Sequence, residues 1–397
     1  MQKEKTVNDY AENALASRLK DGFDTEFGRC PSVVSRAPGR LEILGNHTDY
    51  NEGVVLSAAV DHATYFAASV NDADECHLYD LRENSRRSFS INDIAAGLVP
   101  DDWANYVKGI IVELQNRGFD VPGFDACILS DIPMSAGMSS SAALEMAAAY
   151  GIGEMATIEL PWIEWAKIGQ QCENKTVGAN TGLMDQFSSI RGQRDHLVFS
   201  DFRSLDTSTV PLAQGFALVV ANSMVKHDLT GDYNERRNSC ENAAQAVNTI
   251  YPEVSALRDV NSDMLNKCKG SMDSTAFSRA LHVVGENERV NQGVKALEKG
   301  DIMTFGKLMY ESHESSRVNF ENSCPELDFL VETGKTLPGA VGARLSGGGF
   351  GGITVHLVEE NKVQEYTAQL SGEFSQHYRF EPDTMICHAG DGAQVLS

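Results

Sequence analysis

The chain has 397 residues, 42% hydrophobic and 22% charged, enough for two domains with substantial cores. Its 33 basic and 56 acidic residues give a net charge of −23, which argues against nucleic acid and anionic membrane as partners. No run approaches the roughly 18 apolar residues of a membrane span, no signal-like apolar core follows Met1, and eight scattered cysteines without a Cys-x-x-Cys pair point to buried free thiols in a reducing cytoplasm.

Apolar residues at Val7, Tyr10, Ala14, Leu15 and Leu19 predict an opening helix. Strand-like runs follow at Val33-Val34, Val54–Val60, Thr64–Val70, His77–Leu81 and Phe89–Ile91, then a helix over about Trp103–Arg117 and a strand over Phe124–Leu129. A helix built on Ala142–Ala149 comes next, another over about Trp162–Glu173, and the strand Leu197–Phe199. The second half opens with the strand Ala217–Ala221 and continues through helices near 233–249, 275–298, 301–319 and 325–334. Strands over Val341–Leu345 and Ile353–Leu357 flank a glycine cluster, and Thr384–His388 reads as a last strand. Without a regular βαβ rhythm this is an α+β chain, expected to divide into domains at 1–205 and 206–397.

Four constellations carry chemistry. Ser135-Ala-Gly-Met-Ser-Ser-Ser141 joins a strand to a helix, where small residues, hydroxyls and unpaired first-turn N–H groups suit a phosphate; the plain alternative is an ordinary capped helix. Arg36–Gly53 is a polar loop between apolar strands. Its Arg40, His47 and Asp49 supply a fixed charge, a switchable donor and a carboxylate able to accept two hydroxyls, equipment that suits a polyol unless the loop is only a turn. In Asn174–Phe187, Asp185 is either a helix N-terminal stabiliser or a placed base. Glu173 is either a solvated surface residue or a Mg²⁺ ligand turned toward the same cleft. Ser346-Gly-Gly-Gly-Phe-Gly-Gly352 meets a Gly-x-Gly-x-x-Gly pattern outside any βαβ context, so it reads as close backbone approach to a ligand or another loop.

In this order the constellations resemble the GHMP kinase superfamily, and within it the galactokinases. Gly39-Arg-Leu-Glu-Ile-Leu-Gly-Asn-His-Thr-Asp-Tyr-Asn-Glu-Gly53 is similar to their signature Gly-Arg-x-Asn-Leu-Ile-Gly-Glu-His-Thr-Asp-Tyr-Asn-x-Gly. Pro133–Ala142 is similar to the phosphate motif, and Gly342–Gly352 to the third motif. The resemblance implies a two-domain α+β GHMP kinase-like fold with the active site in the interdomain cleft, and transfer of the ATP γ-phosphoryl to the anomeric hydroxyl of a hexose. It implies Asp185 and Arg40 as catalytic residues. It places Asn46, His47, Thr48, Asp49, Gly182 and Tyr233 on the sugar, and Ser135, Ala136, Gly137, Met138, Ser139, Ser140 and Ser141 on ATP. It makes Ser141 and Glu173 the Mg²⁺ ligands, in a monomeric cytoplasmic enzyme whose partners are a small sugar and ATP.

The chain departs from the signature at Glu42, where the family has asparagine, and at Asn46, where it has the glutamate that accepts the sugar's C6 hydroxyl. An amide tolerates a C6 carboxylate that a glutamate repels. Galactose is therefore the first expectation, a galacturonate-type C6 specificity the second, and a non-catalytic sugar and ATP sensor a third.

Overall fold

The computed structural model describes residues 7–133, 137–179, 181–225 and 229–396, and only the backbone of 7–11, 96 and 229–233. Two sheets organise these residues. The larger has eight strands. At its centre Val33–Leu44 runs antiparallel to Val54–Val70, with Arg40 opposite Ala59 and Leu44 opposite Leu56.

Val54–Val70 was expected as two runs separated at Asp61-His62. It is one strand because those polar side chains find partners in place. Asp61 accepts from the His388 backbone N–H at 2.9 Å, and His62 Nδ1 lies 3.1 Å from Asp131 Oδ2. Its first residues pair with His196–Asp201 and its last with Phe124–Ser130, which in turn pairs in parallel with Glu75–Asp80. Asp206–Pro211, too polar to read as a strand, pairs with His196–Asp201 in a hairpin that straddles position 205. Gln394–Val395 returns to pair with Ser35 and Arg36.

Beneath this sheet the helices Ala104–Asn116, Ser140–Met155 and Trp162–Gln171 bury Ile110, Leu114, Met146, Ile152 and Ile168 against Phe66, Phe124 and Ile128. The opening helix runs on to Phe27, beyond its expected end at Leu19, because Leu19 and Phe23 are buried on Tyr65 and Leu129.

The second sheet is antiparallel, with Phe216–Asn222 and Ile353–Glu359 at its centre, flanked by Asp383–Cys387 and Ala340–Ser346. One core joins the two sheets: Leu41, Ile43 and Leu56 of the first pack with Leu218, Val220, Ile353 and Val355 of the second. The helices Ser274–Glu298 and Ile302–Ser315 contribute Val290, Leu308 and Met309 to it. Six of the eight thiols are buried, and all eight are free. No described helix is long and apolar enough to cross a membrane.

Candidate active site

Arg40 lies near the end of Val33–Leu44, and Asp185 in the first turn of the helix Met184–Arg191. Arg40 Nε donates to Asp185 Oδ1 at 2.7 Å and Nη2 to Oδ2 at 3.0 Å, a two-pronged pair whose side chains are 8% and 17% exposed. Arg40 Nη1 donates to the Gly137 carbonyl at 2.8 Å, and its backbone N–H to the Met138 carbonyl at 3.0 Å. The Ser139 hydroxyl bonds Asp185 Oδ2. One arginine thus ties the serine loop to the carboxylate.

Ser139 adopts a left-handed backbone, φ 51°, and turns the chain into the helix Ser140–Met155, whose start no side chain caps. Gly137 and Ser140 are exposed and Met138 is buried beneath them, so the first-turn N–H groups face outward at a positive helix end. Ser135 and Ala136 lie outside the described residues.

Glu173 is not a surface residue: it is 4% exposed, in a π-helical turn, Cys172–Val177, that follows the helix Trp162–Gln171. Ser141 Oγ donates to its Oε1 at 2.9 Å, and Thr181 Oγ1 and Gln186 Nε2 donate to Oε2. Burial raises its pKa and the Asp185 carboxylate raises it further. Glu145, fully buried, is pushed well above the usual carboxylate range by burial and by Glu173. No cationic side chain pairs with Glu173 among the described residues. Carboxylate and hydroxyl oxygens clustered there without a positive partner fit a hard divalent cation such as Mg²⁺.

A cavity of about 360 Å³ opens beside the Arg40–Asp185 pair, lined also by Glu42, Asn46, His47, Asp49, Gly182 and the backbone of Gly347 and Gly348. Gly182 is there because a Cβ would collide with Asp49 Oδ2. Burial, with Glu42 and Asp185 adding repulsion, raises Asp49 to about 7. His47 is not a switchable donor: burial lowers it to about 4, so its ring is neutral near pH 7. Its Nδ1 lies 2.9 Å from the Tyr50 hydroxyl and its Nε2 3.1 Å from the Gly348 carbonyl. Thr48 is fully buried, its hydroxyl on the Gly45 and Val54 carbonyls at 2.8 and 2.7 Å, and its side chain is spent on the loop rather than presented to the cavity. Tyr233 falls in the helix Leu229–Asn248, but its side chain lies outside the described residues.

Several residues that position the site left no pattern in the sequence. Glu286 accepts the backbone N–H groups of Gly45 and Asn46 at 2.9 and 3.0 Å; burial opposes its charge, but Arg289, His282 and Arg344 hold it ionised. His282 Nε2 lies 3.1 Å from the Asn46 carbonyl. Arg344, inside the third motif, reaches from the second sheet to Glu42 Oε1 at 2.8 Å. Gly349 approaches the Asn322 backbone too closely for any Cβ, so the glycine cluster serves both a loop contact and the cavity wall.

Residues 21–70 match the galactokinase galactose-binding signature, 105–193 the N-terminal domain of GHMP kinases and 294–376 their C-terminal domain. A galactokinase of Roseiflexus sp. (strain RS-1) is 39% identical over 375 residues, 94% of this chain and 95% of the relative. A galactokinase of Glaesserella parasuis serovar 5 (strain SH0165) is 39% identical over 381 residues, 94% of this chain and 97% of its own. The crystal structure of Lactococcus lactis galactokinase complexed with galactose superposes with a TM-score of 0.90 at 29% identity, covering 95% of this chain and 99% of that one. A mevalonate kinase structure, at 18% identity and a TM-score of 0.65, covers 91% of this chain and 100% of its own, and shares the fold. The chain belongs to the galactokinase family of GHMP kinases.

Proposed function

We infer that the protein is an ATP-dependent kinase that phosphorylates galactose on its anomeric hydroxyl, giving galactose 1-phosphate and ADP. The observation that carries the chemistry is the Arg40–Asp185 pair, bonded at once to the serine loop and facing the cavity that holds Asp49. Asp185 accepts or orients the proton of the reacting hydroxyl, and Arg40 offsets the charge that gathers on that oxygen as the phosphoryl group arrives. The backbone of Gly137–Ser141 at the helix start receives the ATP phosphates, and the family resemblance adds Ser135 and Ala136 to the ATP-binding residues. Asp49, Gly182, His47 and Asn46 line the sugar side of the cavity and Thr48 braces their loop; the family resemblance adds Tyr233 to the sugar contacts.

Ser141 and Glu173 hold Mg²⁺, which neutralises the nucleotide within an acidic protein when bound. The reading extends to a monomeric cytoplasmic enzyme whose partners are a small sugar and ATP. The same reading keeps two domains, 1–205 and 206–397, with the boundary between the paired strands His196–Asp201 and Asp206–Pro211. The test is galactose-dependent ADP release by the purified protein in the presence and absence of Mg²⁺, with the product identified as the 1-phosphate. No turnover with galactose, alongside intact ATP binding, overturns the assignment.

A further inference from the structure

Asn46 occupies the position at which an acidic side chain would meet the sugar, yet its amide has nothing left to offer. Its Nδ2 donates to Glu42 Oε1 at 3.0 Å, to Oε2 at 3.3 Å and to the Gly347 carbonyl at 2.8 Å. Its Oδ1 receives Asn322 Nδ2 at 3.0 Å and Ser316 Oγ at 3.4 Å. Both amide hydrogens and both lone pairs are used.

Glu42 is the opposite case. It lines the cavity at 3% exposure, and its charge is balanced by Arg344 from the other sheet, itself fully buried. Oε1 serves Arg344 and Asn46, while Oε2 has only the long 3.3 Å contact from Asn46, leaving an acceptor free. Glu42 follows Arg40 by two residues on the same strand, which sets their backbones about 6–7 Å apart, and both line the same cavity. In a pyranose held by its anomeric hydroxyl at Asp185, the groups that far away are those on C4 and the exocyclic C6.

We propose that Glu42 is the specificity-determining acceptor for the C6 end of the sugar, and that Asn46 and Arg344 are positioning residues that hold its carboxylate. The proposal rests on the galactose-kinase reading above and narrows it. The negative charge has not left the pocket; it has moved four residues back along the chain, from position 46 in the loop to position 42 on the strand. The substrate class is a hexose with a neutral hydroxymethyl at C6, and a uronate meets the charge of Glu42 and is rejected.

The experiment measures kcat/KM for galactose, 6-deoxygalactose and galacturonate in the wild type, Glu42→Gln, Glu42→Asn and the double variant Glu42→Asn with Asn46→Glu. The wild type should prefer galactose over galacturonate by about a hundredfold or more and over 6-deoxygalactose by about tenfold, the cost of an unpaired buried acceptor. Glu42→Gln should shrink the galactose-to-galacturonate ratio by about tenfold or more, through KM rather than kcat, and the double variant should regain what Glu42→Asn loses. If single variants fail to fold, the wild-type panel still decides: use of galacturonate within about tenfold of galactose overturns the proposal. Robust galactose turnover with an unmoved ratio in Glu42→Gln overturns it alone, whereas no galactose turnover by the wild type overturns the functional reading beneath it.

Discussion

Asp185→Asn isolates the chemistry from the binding. In the native protein Arg40 meets both carboxylate oxygens, at 2.7 and 3.0 Å, and Ser139 adds a third donor. An asparagine keeps one acceptor, and its N–H₂ can bond the Ser139 hydroxyl oxygen but not the Arg40 guanidinium, which has no lone pair to give. Leaving a largely buried charged donor unpaired costs about 1.5–3 kcal/mol of local stability. Loss of a placed base costs a further factor of about 10²–10⁴ in rate, which is about 2.7–5.4 kcal/mol of barrier. The sugar keeps Asp49, so its affinity should move by less than about threefold, well under 1 kcal/mol. ADP release at saturating galactose and ATP, with calorimetric titration of galactose, reads the two effects separately. Turnover within a few-fold of wild type in a folded Asp185→Asn protein refutes the reasoning and returns Asp185 to the role of a helix-start stabiliser.

Ser141→Ala and Glu173→Gln should raise the Mg²⁺ concentration needed for half-maximal rate and leave galactose affinity unchanged, measured by Mg²⁺ titration of ADP release; wild-type metal dependence in both removes them from the metal site. Gly182→Ala drives a methyl into Asp49 Oδ2, so galactose affinity should fall by the 1–3 kcal/mol that overpacking typically costs, about 5- to 150-fold, with the KM for ATP nearly unmoved. His388 bridges Asp61 of the first sheet and Glu360 beside the second, and its hydrogen bond to Asp61 raises it to about 9. Its stabilisation is full below the unfolded value of about 6.5 and is lost as pH rises through about 9. The ring is 37% exposed, so solvent screening limits the effect to about 1 kcal/mol. Denaturant unfolding of wild type against His388→Gln should show a gap at pH 6 that closes by pH 10, and a pH-independent gap discounts the ion bridge.

The sequence by itself determined most of what is local. Trp103–Arg117 emerges as a helix that buries Val107, Ile110, Ile111 and Leu114, and the apolar runs Phe124–Leu129 and Ile353–Leu357 emerge as strands buried on both faces. The short motifs around Arg40, Ser139 and Asp185 were legible because phosphate and polyol chemistry concentrates hydroxyls, glycines and charges within a few neighbouring residues.

What only the tertiary structure decided is whatever depends on groups far apart in the chain. Asp61-His62 reads as a break until His388 and Asp131 satisfy it within one continuous strand. His47 reads as a proton switch until burial takes its charge. Glu173 reads as either a surface acid or a cleft ligand until Ser141, Thr181 and Gln186 close around it. Glu42 reads as a bare departure from the signature until Arg344, 302 positions along the chain, arrives from the second sheet to pair with it. Hydrogen-bond capacity and desolvation are set by three-dimensional neighbours, and no spacing along the chain records them.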